Sequence, residues 1–169
     1  KFTHTEETQK RKLEREAVLM QRVAHRHICQ LFEYHTQPQS GLCAMVMEIL
    51  THGSLREAIR GSPEKRLREF EVTKMAAHLL SALVHMHKQD VIHRDIKPSN
   101  IMLTEMVDGE LLFKLIDFSI AAVDRDARVN VSDTLKTSTT GLAKLVGTPH
   151  YMSPEQFTGH AVTAQSDLW

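Results

Sequence analysis

Cysteine is scarce in this chain: two in 169 residues. Neither Cys29 nor Cys43 stands in a Cys-x-x-Cys pair or near a histidine at ligand spacing. A disulfide framework and a cysteine-based zinc site are therefore not expected. Both read as reduced, buried small hydrophobes, which suits a cytosolic or nuclear setting. Net charge is missing too, since 21 Lys and Arg balance 21 Asp and Glu. That balance gives no electrostatic case for nucleic acid or a membrane surface as partner. Long apolar runs are also lacking. The stretch around Met75–Val84 is broken by His78 and Ser81, and is too short and too polar to span a bilayer. No internal repeat and no low-complexity tract occurs. The chain opens on Lys1, with neither Met nor a signal-like apolar core, so it reads as an internal piece of a longer protein.

The hydrophobic share is 41%, enough for one modest domain with a real core. Thr5 to Ala24 predicts a helix, with Leu13, Ala17, Met20 and Ala24 at helical spacing. Ile28–Tyr34 predicts a strand, Gln37-Pro38-Gln39-Ser40-Gly41 a turn, and Leu42–Leu50 a strand buried on both faces. Thr51-His52-Gly53-Ser54 breaks that strand, and a short helix starts near Ser54. Phe70–His87 predicts a long helix whose stripe of Val72, Met75, Ala76, Leu79, Leu83 and Met86 is core. Val91–Ile92 and Ile101–Leu103 predict short strands flanking a polar loop. Asp108-Gly109 is a hairpin signal before a strand at Leu111–Ile116. Residues 122–146 carry no sustained period, and a stretch of that length without one is usually functional or mobile. Helical character returns near Ser153 and Ser166.

Eleven histidines raise the question of metal. His25 and His27 are two apart, as are His85 and His87, which is not the i, i+4 spacing of a helical zinc site. They read as surface or core histidines.

Chemistry concentrates in Val91-Ile92-His93-Arg94-Asp95-Ile96-Lys97-Pro98-Ser99-Asn100-Ile101. A strand–loop–strand here gathers three polar heads around one point. An Asp can accept a hydroxyl proton, a Lys can neutralise a phosphoryl oxygen, and an Asn carbonyl suits a hard cation such as Mg²⁺. A second string, Lys114-Leu115-Ile116-Asp117-Phe118-Ser119, puts a carboxylate at the end of an apolar strand. A third is Gly147-Thr148-Pro149-His150-Tyr151-Met152-Ser153-Pro154-Glu155.

These three strings, in this order, resemble the eukaryotic-type protein kinase catalytic domain of the serine/threonine-directed kind. The resemblance covers essentially the whole chain. It implies an α+β, two-lobed kinase fold that is incomplete at both ends. A partial β-rich N-lobe with the family's C helix spans residues 1–50. The first part of a mainly helical C-lobe, up to the start of helix F, spans residues 51–169. It also implies ATP and Mg²⁺ as cofactors and a protein Ser/Thr hydroxyl as acceptor; from the charge balance and the short apolar runs, no nucleic acid partner and no membrane segment in these residues are expected.

Residue by residue, the resemblance implies Asp95 as catalytic base and Lys97 as the lysine beside the transferred phosphoryl group. Asn100 and Asp117 resemble the two Mg²⁺ ligands. Glu16 is similar to the glutamate of the C helix, and Lys1 to its lysine partner on the family's third strand. Met47 resembles the gatekeeper, with Glu48 and Leu50 as hinge residues whose backbone reads adenine. Met102 would pack beneath the adenine. Asp167 resembles the helix-F aspartate that holds the catalytic loop, and Met20, Leu31, His93 and Phe118 an apolar spine. Arg94 resembles the arginine that pairs with a phosphate on the activation segment, whose candidate sites here are Ser132, Thr134, Thr137, Ser138, Thr139 and Thr140. Thr148 is a candidate structural contact to Asp95 and Lys97.

Two departures stand out. Ser119 replaces the family's glycine, which permits backbone conformations that serine visits at a cost. The Gly-rich loop would precede Lys1, so these 169 residues alone are expected to be inactive. The competing reading is a pseudokinase or scaffold that binds nucleotide or partners without efficient catalysis. A small-molecule kinase of similar fold is disfavoured by the string 147–155, which in protein kinases shapes the peptide-docking surface.

Overall fold

The computed structural model describes residues 4–37, 42–106, 108–123 and 148–169, with the backbone alone for residues 4–7. The chain opens on helix α1 (His4–Arg22), whose Ala17, Leu19 and Met20 are buried, as is Val23 just past its end. Strands β1 (Leu31–Gln37) and β2 (Leu42–Met47) follow. They pair antiparallel from Leu31↔Met47 to Gln37↔Leu42. The first strand begins later than the alternation predicts. Ile28 instead bridges Leu115 in parallel, and Cys29 N–H donates to Leu115 O at 2.9 Å. Those backbone groups are committed across the molecule before β1 starts.

Strand β2 is shorter than the predicted Leu42–Leu50, and it is not buried on both faces. Leu42 is 63% exposed, Val46 45% and Met47 41%. Among the described residues β1 and β2 form a sheet of two strands alone, so much of their apolar surface has no cover.

Helix α2 (Leu55–Gly61) has a reciprocal cap. Glu57 N–H donates to Ser54 Oγ at 3.3 Å, and Ser54 N–H to Glu57 Oε2 at 2.7 Å, satisfying two groups the helix leaves without internal partners. Gly53 leads into the cap at φ +70°, and a Cβ there would stand 2.8 Å from Glu57 Oε2. The positive φ favours glycine, and a Cβ would in addition displace the Glu57 carboxylate from its cap.

Helix α3 (Glu69–Lys88) ends in His85, His87 and Lys88, cations suited to a helix C-terminus when charged. Its predicted stripe is only partly core. Leu83 and Met86 are buried together with Ala82, whereas Val72 is 43% exposed. Asp90 turns the chain at φ +57° into β3 (Val91–Ile92), which pairs with β6 (Ala122–Val123). Between them β4 (Ile101–Glu105) and β5 (Leu111–Leu115) form an antiparallel hairpin. The Asp108-Gly109 turn is as predicted: Gly109 has φ +83°, and Glu110 N–H donates to Asp108 Oδ1 at 3.0 Å. Helix α4 (Pro154–Thr158) is capped by Ser153, and residues Ala164–Leu168 form a 3₁₀ turn.

One apolar core joins these parts. Met20, Val23, Ile28 and Leu31 share a cluster with Leu83, Met86, Phe113, Leu115 and Phe118. It includes residues on both sides of the expected division at residue 50, so the β-rich and helical parts are packed together. No helix among the described residues is long and apolar enough to cross a membrane.

Candidate active site

The loop between β3 and β4 carries the site, and backbone anchoring shapes it. Asp167 is buried, and its Oδ2 accepts from His93 N–H at 2.9 Å while its Oδ1 accepts from Arg94 N–H at 2.8 Å. His87 Nε2–H donates to the same Oδ2 at 2.8 Å. Arg94 sits at φ +73°, a conformation costly for a long side chain. The two carboxylate bonds on either side hold it there. Gln156 Nε2–H donates to Arg94 O at 2.8 Å, which ties α4 to the same turn.

With the turn fixed, Asp95 is brought among three partners. Lys97 Nζ donates to Asp95 Oδ2 at 2.5 Å and to Thr148 Oγ1 at 2.6 Å. Thr148 Oγ1–H donates in turn to Asp95 Oδ1 at 3.0 Å. Asn100 Nδ2–H donates to Asp95 O and to Asp95 Oδ2, both at 3.0 Å. Burial pushes the Asp95 carboxyl up, but Lys97, Thr148 and Asn100 together outweigh it and hold it below the ordinary aspartate range. Asp95 is therefore a carboxylate at neutral pH, with its oxygens aimed by donors. The contact expected of Thr148 is present.

Because Asp95 takes the Asn100 amide nitrogen, the amide oxygen is the atom left for a cation. Ile116 N–H donates to Asn100 O at 2.9 Å, so the loop and the end of β5 are adjacent and Asp117 follows one residue later. Asp117 stands at φ +67°, and its Oδ1 accepts from Ser119 N–H at 3.2 Å. The residues at positive φ include Asp117 but not Ser119. The cost expected for serine in place of glycine is thus not incurred in this conformation. Two oxygen donors from adjacent segments fit Mg²⁺, which keeps waters and takes phosphate oxygens for its remaining positions.

Glu16 reaches the same region from α1. Its Oε1 accepts from Phe118 N–H at 3.2 Å. Burial first, and the Asp117 charge second, raise its carboxyl above the ordinary range. A cation beside Glu16 would reverse that shift. Lys1, the expected cation, lies outside the described residues, as do the candidate phosphorylation sites from Ser132 to Thr140. Arg94 itself is half-buried; burial first and the neighbouring Arg15 second lower its guanidinium pKa. Its Nε has no hydrogen-bond partner among the described residues.

The predicted spine residues are all buried: Met20, Leu31, His93 and Phe118. His93 and Phe118 meet edge-on with ring centroids 5.1 Å apart. Asp95 N–H donates to His93 Nδ1 at 3.3 Å, so Nε2 carries the hydrogen donated to Ile116 O at 3.0 Å. Met102 is half-buried on β4. Beside it Ser54 forms a bridge to Met102. Met47 ends β2 and Glu48 follows it, Ile49 is 82% exposed, and Leu50 packs against the core.

Sequence reasoning missed two features. Lys114, which is buried, and Glu48, which is half-buried, form an ion pair at 2.5 Å; the signal was a lysine inside an otherwise apolar strand. His27 stacks on His78 at 3.9 Å between centroids, and His25 on His85 at 5.1 Å. The histidines therefore form a packed column between the segment after α1 and helix α3, which two-residue spacing within one segment does not reveal.

A carboxylate aimed by a lysine and a threonine, with an asparagine and an aspartate alongside, on a small sheet packed to a helical part, defines the protein kinase class. The family model described as protein kinase domain matches residues 1–169, and the chain belongs to that family. Among curated proteins it is 32% identical over 164 residues to a mitogen-activated protein kinase kinase of Aspergillus fumigatus, covering 95% of this chain and 29% of that protein. It is 32% identical over 162 residues to serine/threonine-protein kinase 33 of Bos taurus, covering 93% of this chain and 30% of that protein. A probable serine/threonine-protein kinase of Streptomyces coelicolor is 35% identical over 125 residues, covering 74% of this chain and 16% of that protein. The chain thus spans less than a third of the length of these relatives.

Proposed function

We propose that the protein transfers the γ-phosphoryl group of ATP to a serine or threonine hydroxyl of a protein substrate. The observation that carries this reading is the Asp95 carboxylate held by Lys97, Thr148 and Asn100. Asp95 orients the acceptor hydroxyl and takes its proton as the new P–O bond forms. Lys97 Nζ, already 2.5 Å from Asp95, neutralises an oxygen of the transferred group. Asn100 and Asp117 would hold Mg²⁺, which supplies charge neutralisation across the phosphates. Glu16, with Lys1, aligns the nucleotide phosphates, and the backbone of Glu48 and Leu50 reads adenine above Met102. Catalysis then comes from positioning and from preorganised charge. The names of the relatives, which include serine/threonine-protein kinases, support the same acceptor class here.

The test is transfer from γ-labelled ATP by the full-length protein to a generic protein substrate, followed by phosphoamino acid analysis. Label on serine or threonine that depends on magnesium is expected. Nucleotide binding without any transfer would favour the pseudokinase or scaffold reading instead.

A further inference from the structure

The pair of half-buried Glu48 and buried Lys114 has no part in the phosphoryl chemistry above, yet it is built in detail. Lys114 lies on β5 and is 7% exposed. Its Nζ donates to Glu48 Oε1 at 2.5 Å and to Glu48 Oε2 at 2.8 Å. Glu48 is tied a second time, to the segment before β1. Its own N–H donates to Gln30 O at 2.9 Å, and its Oε2 accepts from Gln30 N–H at 3.2 Å. Cys29 Sγ stands 3.9 Å from Glu48 O. The peptide that follows Glu48 therefore leaves a residue fixed at both its backbone and its carboxylate.

The lysine also occupies an informative register position. Lys114 is the cross-strand partner of Met102, and directly opposed residues share one face of a sheet. Three residues beyond Lys114 the same strand delivers Asp117. Burying the lysine of such a pair adds little net stability compared with an apolar residue of similar size. A role in fixing geometry accounts for it better than a role in holding the fold.

We propose that Lys114 is a positioning residue for the nucleotide: by clamping the Glu48 carboxylate it sets the hinge backbone against the adenine floor at Met102. The proposal rests on the ATP-dependent reading above. Lys114 touches neither the phosphates nor the acceptor; it acts through Glu48. Loss of the clamp misaligns one or two hydrogen bonds to the base and leaves the phosphoryl end in place.

The test uses the full-length protein with Lys114→Met, Lys114→Arg and the apolar double variant Lys114→Met with Glu48→Leu. Steady-state kinetics give KM for ATP and kcat, calorimetry gives the Kd for ATP, and thermal melting reports folding. For Lys114→Met, KM and Kd are expected to rise about threefold to tenfold, the range for one or two weakened hydrogen bonds, with kcat little changed. Lys114→Arg retains a cation for Glu48 and should restore most of the affinity. A merely structural role would instead lower kcat through a smaller folded fraction and leave KM alone, and that result overturns the proposal. Should Lys114→Met fail to fold because Glu48 is left half-buried without its cation, the double variant removes that charge. It should melt like wild type yet show the same weakened Kd, and an unchanged Kd in it overturns the proposal. Wild-type protein that binds no ATP would overturn the functional reading itself, and the proposal with it.

Discussion

Asp167→Asn isolates the link between fold and chemistry. In the wild type two oxygens of one buried carboxylate accept the His93 and Arg94 N–H groups, at 2.9 and 2.8 Å. Asparagine keeps one acceptor and replaces the other with an NH₂ group that cannot accept. One backbone N–H is then left buried without a partner, which costs about 1–3 kcal/mol. The surviving bond also loses its ionic assistance, a further loss of about 1 kcal/mol. The total, about 2–4 kcal/mol, is a large part of a typical stability of roughly 5–15 kcal/mol. It also falls on the residue held at φ +73°, so the turn presenting Asp95 relaxes. Urea unfolding of the full-length protein should show the loss of stability. Single-turnover transfer with saturating ATP, corrected for folded fraction, should fall by at least about tenfold, since misplacement by 1 Å can cost far more. Wild-type stability and wild-type turnover in Asp167→Asn would refute the reasoning that this carboxylate holds the loop.

Thr148→Ala removes both the donor to Asp95 and the acceptor for Lys97; transfer should drop by about tenfold or more, the size of one charge-assisted bond, while Thr148→Ser stays near wild type in the same assay. Gly53→Ala places a Cβ against Glu57 and keeps an unfavourable φ of +70°, so chemical denaturation should report a loss of about 1–2 kcal/mol. The histidine column sets a pH dependence. Burial first, then His78, lowers the His27 pKa from 6.5 to about 4, so the folded state keeps it neutral. Its contribution is therefore complete above about pH 6.5 and is lost as pH falls toward 4. Urea unfolding should give less stability at pH 5 than at pH 7.5, by at most about 2 kcal/mol from this residue, and His27→Asn should flatten that slope.

The sequence was most informative where local chemistry decides structure. The Asp108-Gly109 turn, the helix start near Ser54 and the short strands around the catalytic string were legible because each rests on neighbours in the chain. The polar cluster was legible as residue types at fixed offsets, since Asp95, Lys97 and Asn100 share one loop. What lay beyond reach depends on pairing across the chain. The start of β1 was misplaced because Cys29 hydrogen-bonds to Leu115, a partner far away in sequence. The burial of β2 was overestimated because an apolar run alone does not say how many layers will cover it. The Glu48–Lys114 pair, 66 residues apart, leaves no local period to read. Ser119 shows the reverse case, a departure from family pattern whose expected backbone cost disappears once the φ values are known.

The most direct test of the account replaces the carboxylate on which everything converges. Asp95→Asn keeps the size and the neighbours of the side chain but removes the proton acceptor. In the full-length protein, phosphoryl transfer at saturating ATP should fall by roughly 10²–10⁴-fold, the range for a positioned acid–base group. The Kd for ATP should stay within about threefold, because in the proposed arrangement Asp95 faces the hydroxyl and not the nucleotide. Transfer by Asp95→Asn within a few-fold of wild type would contradict the account.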